Sequence, residues 1–118
     1  MREGPIVKKS FDFSILIIDY CDLLNSNRKF IVANQLLKSG TSIGANVFEA
    51  QHSESRLDFI YKMKIALKED NETHYWLNLC AKMKNLSVPQ ETFSSLNEIM
   101  AILSRILITS RKNLNLEK

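Results

Sequence analysis

The chain has 118 residues, 45% of them apolar and 25% charged. That is the balance of one folded domain, long enough to bury a core without disulfide or metal staples. Three Gly and two Pro are too few for an all-β chain built on tight turns, and a net charge of +3 is mild for a dedicated nucleic-acid domain. Cys21 and Cys80 stand apart among apolar neighbours, with no Cys-x-x-Cys and no nearby His set. They read as buried free thiols of a reducing cytosol. The apolar run Ile15-Leu16-Ile17-Ile18 is far too short to span a bilayer and is bracketed by Asp12, Asp19 and Asp22. A cytoplasmic protein without a membrane segment is expected.

Four helices are expected in a single domain, over residues 10–25, 28–51, 55–86 and 88–112. Ser10 is the expected N-cap of the first, and the Asn25-Ser26-Asn27 cluster breaks it, because these side chains bond their own backbone. In the second, Phe30, Ala33, Leu37, Gly40, Gly44, Val47 and Ala50 recur at helical steps. Gly40 and Gly44 have the four-residue spacing that lets another backbone approach closely. Ser55, followed three residues on by Asp58, caps the third helix, which has no Gly or Pro until Pro89. Ser87 and Pro89 open the fourth, whose stripe runs through Phe93, Leu96, Ile99, Leu103 and Leu107. Residues 113–118 are expected to fray. Short connections between four helices imply an all-α, antiparallel up-down-up-down four-helix bundle.

The third helix carries a second apolar stripe, Leu57, Tyr61, Ile65, Trp76, Leu79 and Met83, displaced from Phe59, Ile60, Met63 and Leu67. A surface helix of a lone bundle needs one stripe, so a subunit interface anchored by Tyr75 and Trp76 is the sharper explanation. Ser39, Ser42, Asn46 and Glu49 make a polar stripe on the second helix, and Glu69 and Glu72 share a face of the third. Antiparallel pairing brings Glu69 level with Ser39 or just beyond. The stripe is then either a structural network fixing register or a ligand or partner site, and both readings stand. Glu49-Ala50-Gln51-His52 matches the Glu-x-x-His of di-iron bundles, but a second copy and two further Glu are missing. No metal, no cofactor and no catalytic residue is therefore expected. Lys64, Lys68 and Lys82 lie close in angle on the third helix, and Arg105 and Arg111 add charge on the fourth. Repeated around a ring of subunits, that stripe would suit a phosphate backbone.

The run Gln35-Leu36-Leu37, Ser39-Gly40-Thr41-Ser42-Ile43-Gly44-Ala45-Asn46-Val47 and Glu49-Ala50 continues into Ser55, Asp58-Phe59-Ile60 and Lys62-Met63. With Ile65-Ala66-Leu67-Lys68-Glu69, Asn71-Glu72-Thr73 and Tyr75-Trp76-Leu77, it resembles the four-helix-bundle proteins encoded in intervening sequences of bacterial large-subunit ribosomal RNA genes. Many members have Glu-Gly where this chain has Glu49-Ala50, so it resembles the subgroup with Glu-Ala and Tyr-Trp-Leu. The resemblance implies a cytoplasmic homo-oligomer, a pentameric ring, with no enzymatic activity. That family is similar to the accessory protein of diversity-generating retroelements, a basic pentamer that binds nucleic acid and reverse transcriptase. The expected function is a non-enzymatic adaptor with RNA or DNA as partner, and the alternative is a protein-binding module with no nucleic-acid role.

Overall fold

A computed structural model describes residues 4–117. Its helices are α1 (Pro5–Ser26), α2 (Phe30–Ala50), α3 (Arg56–Lys82) and α4 (Gln90–Glu117). No strand occurs among the described residues. Each helix packs on the next and α4 returns to α1, while no Cα of α1 comes within 8 Å of α3, nor of α2 within 8 Å of α4. The cross-section is therefore a square, with the α1/α2 side opposite the α3/α4 side. The molecule is an antiparallel up-down-up-down bundle measuring 54 × 21 × 21 Å. Phe13, Ile17 and Leu24 of α1, Leu36 and Ile43 of α2, Met63 and Leu77 of α3, and Leu96 and Leu103 of α4 fill its axis. Burying each contributes roughly 1.5–3 kcal/mol.

The helix ends depart from the expected ones for local reasons. α1 begins at Pro5, whose fixed φ suits a first turn, with Gly4 as N-cap. Ser10 is thus no cap: it lies buried inside α1 and donates its Oγ–H to the Ile6 carbonyl at 2.7 Å. At the other end, Arg28 N–H bonds Asn25 O at 3.0 Å and Lys29 N–H bonds Leu24 O at 2.9 Å. This is a Schellman motif, with Arg28 at φ 62° where glycine usually sits. Residues 28 and 29 finish α1, so α2 starts at Phe30. Ser55 does cap α3, accepting from Asp58 N–H at 3.0 Å. α3 stops at Lys82 rather than 86, and Asn85 at φ 61° turns the chain before Pro89. α4 begins at Gln90, leaving Ser87 and Pro89 outside it, and runs past 112 because Leu114 still packs on the core. Lys118 lies outside the described residues.

The cysteines are buried and free. Their Cα atoms sit on diagonal helices more than 8 Å apart, beyond disulfide reach. Cys21 donates to the Ala33 carbonyl at 3.4 Å, and burial pushes its pKa up to about 11.

Gly40 and Gly44 face α1. A Cβ on Gly40 would stand 2.9 Å from both γ-carbons of Ile17, which is fully buried and stiff at χ1. A Cβ on Gly44 would meet the Ser10 carbonyl oxygen at 3.0 Å and Ser14 Oγ at 3.3 Å. Here the neighbour is backbone and cannot rotate away. Alanine in a helix gains about 1 kcal/mol over glycine, but forced overpacking costs about 1–3 kcal/mol. Gly44→Ala should lower stability by about 1 kcal/mol in a urea titration; a more stable variant would show that the two helices do not need this approach.

One core position is a carboxylate. Asp70 occupies the inward face of α3 between Met63 and Leu77, fully buried, and neither oxygen has a hydrogen-bond partner. His74 Nε2 stands 3.4 Å from its Oδ1. Burial pushes the Asp70 pKa from its ordinary value up to about 7, and burial pulls His74 down. The carboxyl therefore holds a proton in the fold that it releases near pH 4 when unfolded. Stability from this group is complete below pH 4, falls as pH rises, and stops falling above about pH 7, a span of roughly 4 kcal/mol. His74 acts in the opposite sense, destabilising the fold as pH drops below its ordinary value. Asp70→Asn isolates the carboxyl: the variant should match the wild type near pH 4 and exceed it by a few kcal/mol at pH 8. Equal stabilities at pH 8 would mean that Asp70 is solvated.

Candidate nucleic-acid interface

On α3, Lys64, Leu67, Lys68 and Asn71 follow one another at steps of three, one and three, which places them on one face. Ser104, Leu107, Ile108 and Arg111 repeat that spacing on α4. The two faces meet in a groove of about 370 Å³ lined by these eight residues. Leu67, Leu107 and Ile108 are its apolar part, and Lys64, Lys68 and Arg111 are its charged rim. No acidic side chain lines it, and none of the three cations forms an ion pair among the described residues. Three positive charges on a concave wall concentrate field at one place, offset at Lys68 by the neighbouring Glu69. Asn71 and Ser104 add hydrogen-bonding groups that the sequence pattern alone did not single out.

The other two basic candidates stand elsewhere. Lys82 is the last residue of α3, roughly 21 Å along the axis from Lys68. Arg105 turns to the next side of α4 and lines a separate depression at the end of the bundle. The five-residue stripe thus resolves into a group of three and two outliers.

The polar residues of α2 form no ladder to α3. Ser39 alone makes the crossing, through a 3.0 Å hydrogen bond between its hydroxyl and that of Thr73, one helical turn beyond the expected Glu69. Both residues are fully buried, and Thr73 is held again by a 2.7 Å bond at the Glu69 carbonyl. Ser42 and Asn46 instead donate to carbonyls of their own helix, Lys38 and Ser42, at 2.6 and 2.8 Å. Glu49 is exposed. Burial, then the neighbouring Glu72, pushes the Glu69 pKa up, against Lys68 and Lys38. Trp76 donates its indole N–H to Glu72 at 3.1 Å and packs edge-on against Tyr75, which stands 58% exposed.

A further apolar feature is on neither α3 face. Phe11, Ile15 and Ile18 of α1 and Phe48 of α2 project outward, Phe11 being 65% exposed. Phe11, Ile18 and Phe48, together with Val7, Ser14, Thr41, Gly44 and Ala45, shape an uncharged groove of about 450 Å³ on the α1/α2 side. The α3 residues Leu57 and Tyr61 are also exposed, whereas Trp76 and Met83 are partly buried against the core. The sequence carried a signal for the α1 face: Ile15 to Ile18 are four apolar residues in a row, and one core-facing stripe of a helix cannot take them all. Asp70 was legible in the same way, since it falls at the inward step between Met63, Ala66, Thr73 and Leu77.

Among the described residues no group of three or more His, Cys, Asp or Glu is placed to hold a metal ion. No helix is long and apolar enough to cross a membrane.

Comparison with known proteins agrees with this architecture. A solved structure of a protein of unknown function from the S23 ribosomal protein family of Bacteroides thetaiotaomicron superposes with a TM-score of 0.81 at 40% identity. The match covers 86% of this chain and 94% of that one. No curated protein matches the chain. The model of the 23S rRNA-intervening sequence protein family matches residues 2–109, and the chain belongs to that family.

Proposed function

We propose that the protein is a non-enzymatic, homo-oligomeric helical-bundle adaptor of the cytoplasm that binds RNA along the α3/α4 groove. The observation that carries the RNA part is the meeting of Lys64, Lys68 and Arg111 around one groove whose lining holds no acidic side chain. Backbone phosphates are the polyanion such a rim suits, and each one neutralised releases a counterion. The family's link to 23S rRNA intervening sequences supports RNA over other polyanions. Self-association rests on the uncharged α1/α2 groove, an apolar surface of a kind monomers seldom leave wet. Because the α1/α2 and α3/α4 sides are opposite, subunits joined through the first leave the second open. A protein-binding module without RNA is the second reading, favoured by the same apolar groove if another protein covers it.

Two measurements separate these readings. Binding of a structured RNA should weaken steeply with salt. Changing Lys64, Lys68 and Arg111 together to Gln should reduce the slope of log K against log salt by about 2 to 3 for each protomer engaged. Lys82→Gln should change neither affinity nor slope, because Lys82 lies outside the groove. Undetectable or salt-independent binding would remove the RNA role and leave the protein-binding module. For assembly, the wild type should exceed its 13.6 kDa chain mass in solution. Phe48→Asp should reduce it to that mass without unfolding, since the ring is largely exposed in the single chain. A wild type that is already monomeric would sink the oligomer.

A further inference from the structure

At the end of the bundle where α1 and α3 begin, a depression of about 460 Å³ opens between α1, α3 and α4. Its inner wall is apolar: Ile6, Phe59, Met63 and Ile106 line it, and Met63 belongs to the core itself. Its rim is polar and unevenly satisfied. Ser110 is 7% exposed, lines the opening, and makes no hydrogen bond among the described residues, although serines inside α1 and α2 bond the carbonyl one turn back. Its hydroxyl is left to the opening, where a bound group can reach it. Arg105, on the same wall, forms no ion pair among the described residues. Thr109 adds a second hydroxyl beside it, and Arg56, which already has a partner, stands on the rim. No side chain caps the first turn of α1, whose positive dipole end faces the same end of the bundle.

We infer that this depression is a binding site for a small organic anion, a carboxylate or phosphate ester head on an apolar body. Arg105 would take the head through its planar fork of donors. Ser110 and Thr109 would complete the head's hydrogen bonds, and the body would lie on Phe59 and Ile106. The site differs from the α3/α4 groove in kind as well as place. The groove has three cations along its length and suits a polymer. The end depression combines one unpaired cation with an apolar wall of four side chains, which suits a single compact molecule. It faces neither the α1/α2 side nor the α3/α4 groove, so the inference does not depend on assembly or RNA binding.

Four probes test it on the full-length protein by two-dimensional NMR: octanoate, phenyl phosphate, 1-octanol and inorganic phosphate. Octanoate or phenyl phosphate should shift the amide signals of Phe59, Ile106 and Ser110, and which one binds more tightly tells carboxylate from phosphate ester. 1-Octanol and inorganic phosphate, each having half of the recognition chemistry, should bind at least about tenfold more weakly. Arg105→Gln, an exposed substitution that leaves the core intact, should weaken the favoured probe by about tenfold or more. Ser110→Ala should weaken it less, with the melting temperature of both variants unchanged. Equal binding of 1-octanol would reduce the site to an apolar dent, and equal binding of inorganic phosphate would reduce it to surface charge. Shifts at the Lys64–Arg111 groove instead, or no shift at millimolar probe, would overturn the proposal outright.

Discussion

The close approach of α1 and α2 is the constraint on which the rest of the bundle depends. Gly40 admits the Ile17 side chain into the space its own Cβ would take, and Gly44 lies against the Ser10 backbone. With the two helices this close, little room is left between them for large side chains. Phe11, Ile15, Ile18 and Phe48 are therefore turned outward, while Phe13 and Ile17 alone fill the axis from that stretch of α1. Gly44, one of the two glycines that bring the helices together, also lines the outer groove with Ser14, Thr41 and Ala45. One contact thus sets both the tightness of the inside and the apolarity of the outside.

The two opposite sides of the square then differ in character. The α1/α2 side is apolar and uncharged in its groove, and the α3/α4 side is apolar in its groove but rimmed by three cations. α3 also carries Glu69, Glu72 and the edge-packed Tyr75 and Trp76. A chain whose sides carry such different chemistry is directional. The α1/α2 side meeting its own copy gives a symmetric pair, whereas the same side meeting a different face of the next subunit is head-to-tail and closes into a ring or runs on as a filament. The pentameric ring implied by the sequence resemblance is one closed solution of that kind.

Much of the fold was legible because a bundle writes its core as a period of three and four. The helix order, the Ser55 cap and the burial of both cysteines follow from patterns visible in the chain. The ends were less legible where tertiary or backbone chemistry overrode local preference. Ser10 looks like a cap by residue type, but Gly4-Pro5 starts the helix earlier and Ser10 turns inward. Arg28 holds a left-handed conformation that nothing in its side chain announces. The polar stripe of α2 suggested a ladder because side-chain type was read without side-chain reach. Ser and Asn in a helix have their own carbonyls one turn back within easy distance, and Ser42 and Asn46 take them. Lys64, Lys68 and Lys82 were grouped by angle, but Arg105 and Arg111 were added for charge alone, although six residues of helix set them roughly 120° apart on α4.

Asp70 shows how one position can run against the rest of the fold. A hydrophobic residue of similar size would satisfy every rule of the bundle core, and the carboxyl satisfies none except by holding its proton. Its neighbours do not compensate: His74 is itself pulled toward its neutral form, and the adjoining Ser39–Thr73 hydrogen bond is closed on itself and on the Glu69 carbonyl. The helix turn that carries Asp70 also carries Lys68 and Asn71 of the groove, two residues before it and one after it on the chain. Any rearrangement that lets water reach Asp70 must move that turn, and with it the spacing of the cations facing α4. Core protonation and groove geometry therefore share a single turn of α3, and the stability of that turn falls over the pH range in which Asp70 loses its proton.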